Sequence, residues 1–417
     1  MSADGWTNAL RRLRDRAGER FVAMRWPTPA DEDWRRTDLT GIDPLAWEPA
    51  SPEGASAARP PAPAAPSGDG PAAGRIVFDG SRPVTVSLDP DLRRRGVRLA
   101  PLSESPDGLA DALERTLSIP AESPADRFEA WQRSAWTHGL LLNVPAFTEI
   151  AEPLVIDLRE PPGRRASLPF VVARLEEGAR ATVVLRATGG DEVFWNAGVD
   201  IRVGPGASLA WYESQTLGAR SVSIGFSRAT VERDGRLEHL GAALGGRLVR
   251  ARLDCSLAGP GAEAHLHGIC FPSAGQHADL GTIQRHLAPK ALSRAVFKSA
   301  VRDGSRAIFQ GLIDVSRAAR GTDAFLTNRN LLLDPGARAD SVPILRIGNN
   351  DVKCSHGSTT GRLREEELFY LESRGLARSE ARELLVLGFF DDLLDPAPER
   401  FRIPLAALLR DRLAEAA

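Results

Sequence analysis

The sequence predicts a mainly β protein: a solenoid of stacked β coils with helical regions before and after it. Three observations carry this. From Leu140 to about Ile347, apolar residues alternate with polar ones, the period-two mark of strands. Turn glycines open successive strands at Gly178, Gly206, Gly235 and Gly261, which are 28, 29 and 26 residues apart. A near-fixed interval of this size is the mark of a repeat architecture. Helical periodicity is confined to the flanks. The spacing becomes irregular at Gly304 and Gly336, which leaves a β-sandwich as the alternative.

The elements follow in order. Trp6, Leu10, Leu13 and Ala17 sit at helical spacing, and Pro27 and Pro29 stop that helix. Glu32 to Leu39 is a charged segment around an aromatic anchor, Trp34. These belong to an N-terminal helical region, 1–50. Residues 51–74 are nearly all Ala, Pro, Gly and Ser and predict a flexible linker. Region 75–139 mixes short strands (Arg75 to Gly80, Val84 to Leu88) with helices near Asp107 to Leu117 and Pro124 to Trp136.

The coil region is 140–361. Its alternating sets include Leu154/Ile156/Leu158, Val183/Leu185, Ile201/Val203, Leu209/Trp211 and Leu253/Cys255/Leu257. Region 362–417 is helical again. Leu368 and Leu371 lie on a helix closed by Gly375. Ser379 is the expected cap of the next, with Ala381, Leu384, Leu385, Gly388 and Phe389 as its apolar face. Leu405, Leu408, Leu409 and Leu413 form a last amphipathic helix. Helices this short need a solenoid end or a partner to pack on.

Composition excludes several functions. The formal charge is −2 and the isoelectric point about 6.4, so no global electrostatic field draws nucleic acid. Only Lys290, Lys298 and Lys353 are lysines, and none follows a glycine, so there is no phosphate-binding loop for ATP. No run approaches the roughly 20 apolar residues of a membrane span. The start carries no secretory pattern. Three widely spaced cysteines, Cys255, Cys270 and Cys354, suit reduced thiols. The expectation is a soluble cytoplasmic protein.

Two groups of residues are able to carry chemistry. Cys354 and His356 are two apart near the end of the coil region, and on a strand they share one face. Thiol and imidazole together suit iron, sulfur or zinc chemistry. A buried cysteine beside a satisfied histidine is the structural alternative. Lys353 points to the other face of such a strand. The second group is His265, His267, Cys270, His277 and His286. With Cys255 or Cys270 these histidines offer the donors of a zinc site, although their spacing matches no zinc motif.

The residues from His277 to Phe390 resemble the SufB/SufD family of SUF iron–sulfur cluster assembly scaffolds, and the SufD type within it. The resemblance rests on Gln276-His277 with His286, Ser293-Arg294 with Phe297-Lys298-Ser299, and Ser305 to Gly311. It continues through Thr322-Asp323, Asn330 to Leu333, Asp351 to Gly357, and Leu368 to Leu371 with Ser373-Arg374-Gly375. Glu32 to Leu39 is similar to the family's N-terminal Trp-Arg-x-Thr element. Cys354-Ser355-His356-Gly357 stands where SufB usually has a Glu-His-Glu-Ala type of sequence. Asn350 stands where family members often have an acid.

The resemblance implies a right-handed parallel β-helix core. It implies a non-catalytic scaffold that pairs with SufB and couples to SufC, an ABC-type ATPase docked on region 362–417. A nascent iron–sulfur cluster would then be held at the SufB interface by His356, with Cys354 nearby and a SufB cysteine opposite. A homodimer is the expectation for the isolated chain. The competing functions are a stand-alone metal-binding β-helix protein and a β-helix polysaccharide lyase or hydrolase.

Overall fold

Alternation of apolar and polar residues buries one face of every strand, and here the strands stack in parallel to share that face. The computed structural model describes residues 3–49, 71–102 and 125–414. Two sheets enclose the core. The first runs β4 (Arg98–Pro101), β5 (His138–Val144), β8 (Pro169–Leu175), β11 (Gly198–Val203), β13 (Val222–Val231), β15 (Leu248–Leu257), β17 (His277–His286), β19 (Arg306–Val315) and β21 (Arg338–Ile347). The short strands β1 (Glu48–Pro49), β7 (Arg165–Ser167) and β10 (Val193–Trp195) lie beside it.

The second sheet runs β3 (Arg82–Leu88), β2 (Gly74–Asp79), β6 (Leu154–Glu160), β9 (Arg180–Gly189), β12 (Ser208–Thr216), β14 (Arg236–Ala243), β16 (Glu263–Cys270), β18 (Leu292–Val301), β20 (Thr322–Leu332) and β22 (Val352–Arg362). From β11 onward the chain visits the two sheets alternately. The result is a parallel β-solenoid of about eight turns, and the parallel pairing rules out the sandwich.

One coil takes 27 to 31 residues, as the register from Ser208 to Arg236, Glu263, Leu292 and Asp323 shows. The turns are more regular than the glycines suggest. At one corner a residue with positive φ recurs at Gly178, Gly206, Asp234, Gly261, Lys290 and Gly321. Their amides donate upward from coil to coil, as in Gly206 N to Arg233 O (2.8 Å) and Asp234 N to Pro260 O (3.0 Å). Gly246, Gly275 and Gly304 take positive φ at the other corner, between second-sheet and first-sheet strands. The irregular spacing at Gly304 thus arises from reading two corners as one series. It also arises because Asp234 and Lys290 take the left-handed conformation that glycine usually takes.

Helices cover both outer faces. α1 (Ala3–Ala23) packs with α3 (Arg127–Ala135), which Asp126 caps by accepting from the Phe128 and Glu129 amides. Beneath them Trp34, Phe128, Phe194 and Ile224 form an apolar layer on the first sheet. Arg250 lies 4.0 Å over the Trp34 ring and pairs with buried Asp279, which also accepts from Thr37 Oγ1 at 2.6 Å. This is how the Glu32 to Leu39 segment is anchored. α2 (Pro90–Arg94) follows the β2–β3 hairpin.

The C-terminal helices are α4 (Glu365–Ser373), α5 (Arg378–Leu394) and α6 (Glu399–Ala414). They correct three expectations. α5 and α6 pack along the outer face of the second sheet rather than on the solenoid end, joining Tyr212, Leu240 and Ile269 to Phe390, Phe401 and Leu405. The start of α5 is at Arg378, with Glu380 accepting from the Ala377 amide at 2.8 Å, so Ser379 is inside the helix. Its buried face is Ala381, Val386, Phe390, Leu393 and Leu394, whereas Leu384 is exposed. The sheet, not the helix's own pattern, selects that face. The expected helix near 107–117 and residues 51–70 of the expected linker lie outside the described residues. No described helix is long and apolar enough to cross a membrane.

Candidate functional site at the open end of the solenoid

β21 and β22 are the last strands of the two sheets, and among the described residues no strand pairs with their outer edges. β22 begins where Asn349 fixes the turn. Its Nδ2 donates to Ser316 O and Ala319 O, each at 3.1 Å, and its Oδ1 accepts from Asp351 N at 3.0 Å. Along β22, Cys354 stands over Ala324 and His356 over Leu326. Ala324 and Leu326 are core residues, each 1% exposed. The strand alternation therefore aims Cys354 and His356 at the solenoid interior, where the next coil would cover them.

Their environments nevertheless differ. Cys354 is half-buried and packs against the core, and His356 is exposed. Burial raises the Cys354 thiol above its ordinary range; the Ala324 backbone contact opposes this and Asp323 adds to it. The thiol is thus held back as a donor at neutral pH, and of the two side chains the imidazole is the more accessible. Lys353 is exposed on the opposite face, as expected. Farther along the strand, Thr360 Oγ1 meets Asn330 Nδ2 at 3.2 Å, and that amide also bonds Asn328. The rim also carries apolar residues that the motif reading passed over: Ile344, Leu345 and Ile347 on β21 are all exposed. The sequence signal for them was an apolar strand with no partner coil after it.

Chemically, one imidazole and one partly buried thiol supply half a coordination sphere. A bound iron or cluster would need further ligands from another molecule across the same rim.

The histidine group does not converge. His265 and His267 face outward from β16, within 2.6 Å of Glu263 and 3.2 Å of Glu238. His277 lies on the first sheet, 3.3 Å from Thr37 Oγ1. His286 is fully buried and bonded to Ser293 Oγ at 2.8 Å, and burial lowers it to about 4. Cys255 and Cys270 lie in the core of opposite sheets, with both thiols pushed up by burial. Among the described residues no three His, Cys, Asp or Glu side chains are grouped to hold a metal.

Comparison with known proteins agrees with the fold and the motifs. A family model described as SUF system FeS cluster assembly, SufBD core domain, matches residues 160–389. An iron–sulfur cluster assembly SufBD family protein of Mycobacterium tuberculosis is 30% identical over 407 residues, which is 94% of this chain and 92% of that protein. A SufBD family protein of Mycobacterium leprae is 31% identical over 279 residues, 65% of this chain and 71% of its own. One of Staphylococcus saprophyticus is 24% identical over 333 residues, 79% and 72% respectively. The chain belongs to the SufBD family of iron–sulfur cluster assembly proteins.

Proposed function

We propose that this chain is a SufD-type, non-catalytic scaffold subunit, working in the cytoplasm, that holds one side of a nascent iron–sulfur cluster. The observation that carries the reading is the open end of the solenoid, where exposed His356 sits on a parallel strand whose outer edge meets no other described strand. A paralogous solenoid of the SufB kind is the fitting partner, because it would meet the edges of β21 and β22 and cover Ile344, Leu345 and Ile347. Its cysteine would face His356. The isolated chain would use the same end to form a homodimer.

Assembly of a cluster needs ligands that bind and then let go. Splitting them across an interface allows this, because a small relative movement of two subunits changes the coordination number. The chain has no phosphate-binding loop, so the energy comes from an ABC-type ATPase of the SufC kind. Phe369, Tyr370, Leu384 and Ile403 are exposed apolar residues on the C-terminal helices and offer its docking surface.

The test is co-purification followed by a single substitution. The tagged chain is expected to recover a paralogue and an ABC-type ATPase. The His356→Ala variant is expected to recover both while cluster-enzyme activity in cells falls at least tenfold. Wild-type activity in that variant would remove His356 from the site, and recovery of neither partner would overturn the complex.

A further inference from the structure

The solenoid interior is not filled along its whole length. A cavity of about 120 Å³ lies in its middle coils, with apolar walls that include Leu158, Val171, Leu185, Trp195, Val199 and Leu253. Glycine makes part of the room: a Cβ on Gly225 would meet only Ala197 O, at 3.9 Å. Onto this space β12 and β14 present two ionisable side chains, Glu213 and His239, with Trp211 packed beside them.

Their arrangement is incomplete as it stands. Trp211 Nε1 donates to Glu213 Oε2 at 2.9 Å, which orients the carboxylate from behind. Glu213 Oε1 then faces His239 Nε2 at 3.5 Å. His239 is 3% exposed, and apart from that long contact with Glu213 neither of its ring nitrogens meets a hydrogen-bond partner. A buried imidazole without partners costs about 1–3 kcal/mol. A charge-assisted bond between the two groups would need about 2.7–2.9 Å. The observed gap instead matches the ligand–ligand edge of about 3.4 Å around a tetrahedral ion with bonds of about 2.0–2.2 Å. Both ligand types suit zinc and its neighbours.

We propose that His239 Nε2 and Glu213 Oε1 hold one divalent transition-metal ion of the zinc class inside the solenoid, with cavity water completing its coordination. Two protein ligands make this a site of moderate affinity. It stands four coils away from His356, counted along the second sheet from β14 to β22, and is independent of the site at the open end.

Cobalt(II) is the probe, because its visible spectrum reports coordination. The full-length chain, loaded natively or during refolding, is expected to hold one equivalent at equilibrium dialysis against micromolar cobalt. Glu213→Gln and His239→Ala should each lose it, and the double variant Cys354→Ser/His356→Ala should keep it. X-ray absorption of the zinc-loaded wild type should show nitrogen and oxygen ligands without sulfur, a readout that does not depend on any variant folding. No bound metal under either loading, equal binding in Glu213→Gln, or a sulfur ligand would each overturn the assignment. Water alone in the cavity would give the first of these results.

Discussion

The two ends of the solenoid are finished in opposite ways. At the N-terminal end each sheet closes on an antiparallel strand: β3 against β2 and β4 against β5. The β2–β3 pair shifts register between Val77 and Phe78, and β3 carries Pro83. Bulges and prolines of this kind blunt an edge against further pairing. At the C-terminal end both sheets stop on long parallel strands, β21 and β22, of 10 and 11 residues. Their outward edges still offer backbone donors and acceptors at the spacing of another coil. The difference teaches that the chain's own antiparallel strands close one end, whereas among the described residues nothing covers the edges of the other, which are the edges the proposed pairing requires.

The comparison is sharpest within one column of residues. Leu326 and His356 are neighbours in register, one fully buried and one exposed. Leu326→Ala should cost about 2–5 kcal/mol in chemical denaturation, as buried leucine truncations do. His356→Ala should change stability by no more than about 0.5 kcal/mol while removing function. A similar loss in both would mean that His356 is structural and that the open end is not open.

The closed end carries its own test. Glu160 is buried, and burial raises its carboxyl to about 7, against a bond from Ser167 Oγ at 2.7 Å that opposes the rise. The unfolded chain releases this proton near 4.5, the folded one only near 7. The folded state therefore holds the extra proton between those values, and its stability falls as pH rises through that window. The contribution is at most about 3 kcal/mol. Glu160→Gln should flatten the profile from pH 4.5 to 7, and an unchanged slope would show that the carboxylate is charged in place.

Two smaller effects concern the open end. Leu345→Asp with Ile347→Asp should leave the melting temperature of the isolated chain within about 2 °C of wild type, as exposed positions do. The same pair should abolish co-purification of the paralogue, and retention of the paralogue would move the interface elsewhere. Cys354→Ala should cost under about 1 kcal/mol, since the thiol is half-buried, and leave cluster assembly above half of wild type. A loss equal to that of His356→Ala would make the thiol a ligand.

Local patterns were the readable part of the sequence. Inward sets such as Leu154/Ile156/Leu158 and Leu209/Trp211 belong to the interior core, because a strand's period of two fixes its faces without help. The shared face of Cys354 and His356 followed from the same rule. What separates the two residues, half-burial against exposure, depends on the missing coil above them and so is not encoded locally. Trp34 read as an anchor, yet its setting includes Asp279, 242 residues beyond Thr37, which only the fold brings near. The buried face of α5 was misread for a related reason. Helical spacing offers several apolar stripes, and the sheet beneath chooses among them. His239 drew no attention because a lone histidine on an alternating strand looks like any other polar residue until the cavity beside it is seen.

The placement of α5 and α6 has a mechanical consequence. Their apolar face runs from Val184 on β9, across Tyr212, Leu240, Ile269 and Ala300, to Leu331 on β20. Lys298 Nζ ties in at Phe389 O (2.6 Å), Arg382 at Leu333 O (2.9 Å) and Tyr212 Oη at Pro396 O (3.1 Å). The helices are a splint across six successive rungs. In the proposed complex, a push delivered to them by an ATPase would enter the body of the rod all at once and swing it as one stiff lever. The rim that bears His356 would be carried along without bending, so the whole stroke would appear as displacement against whatever the rim touches.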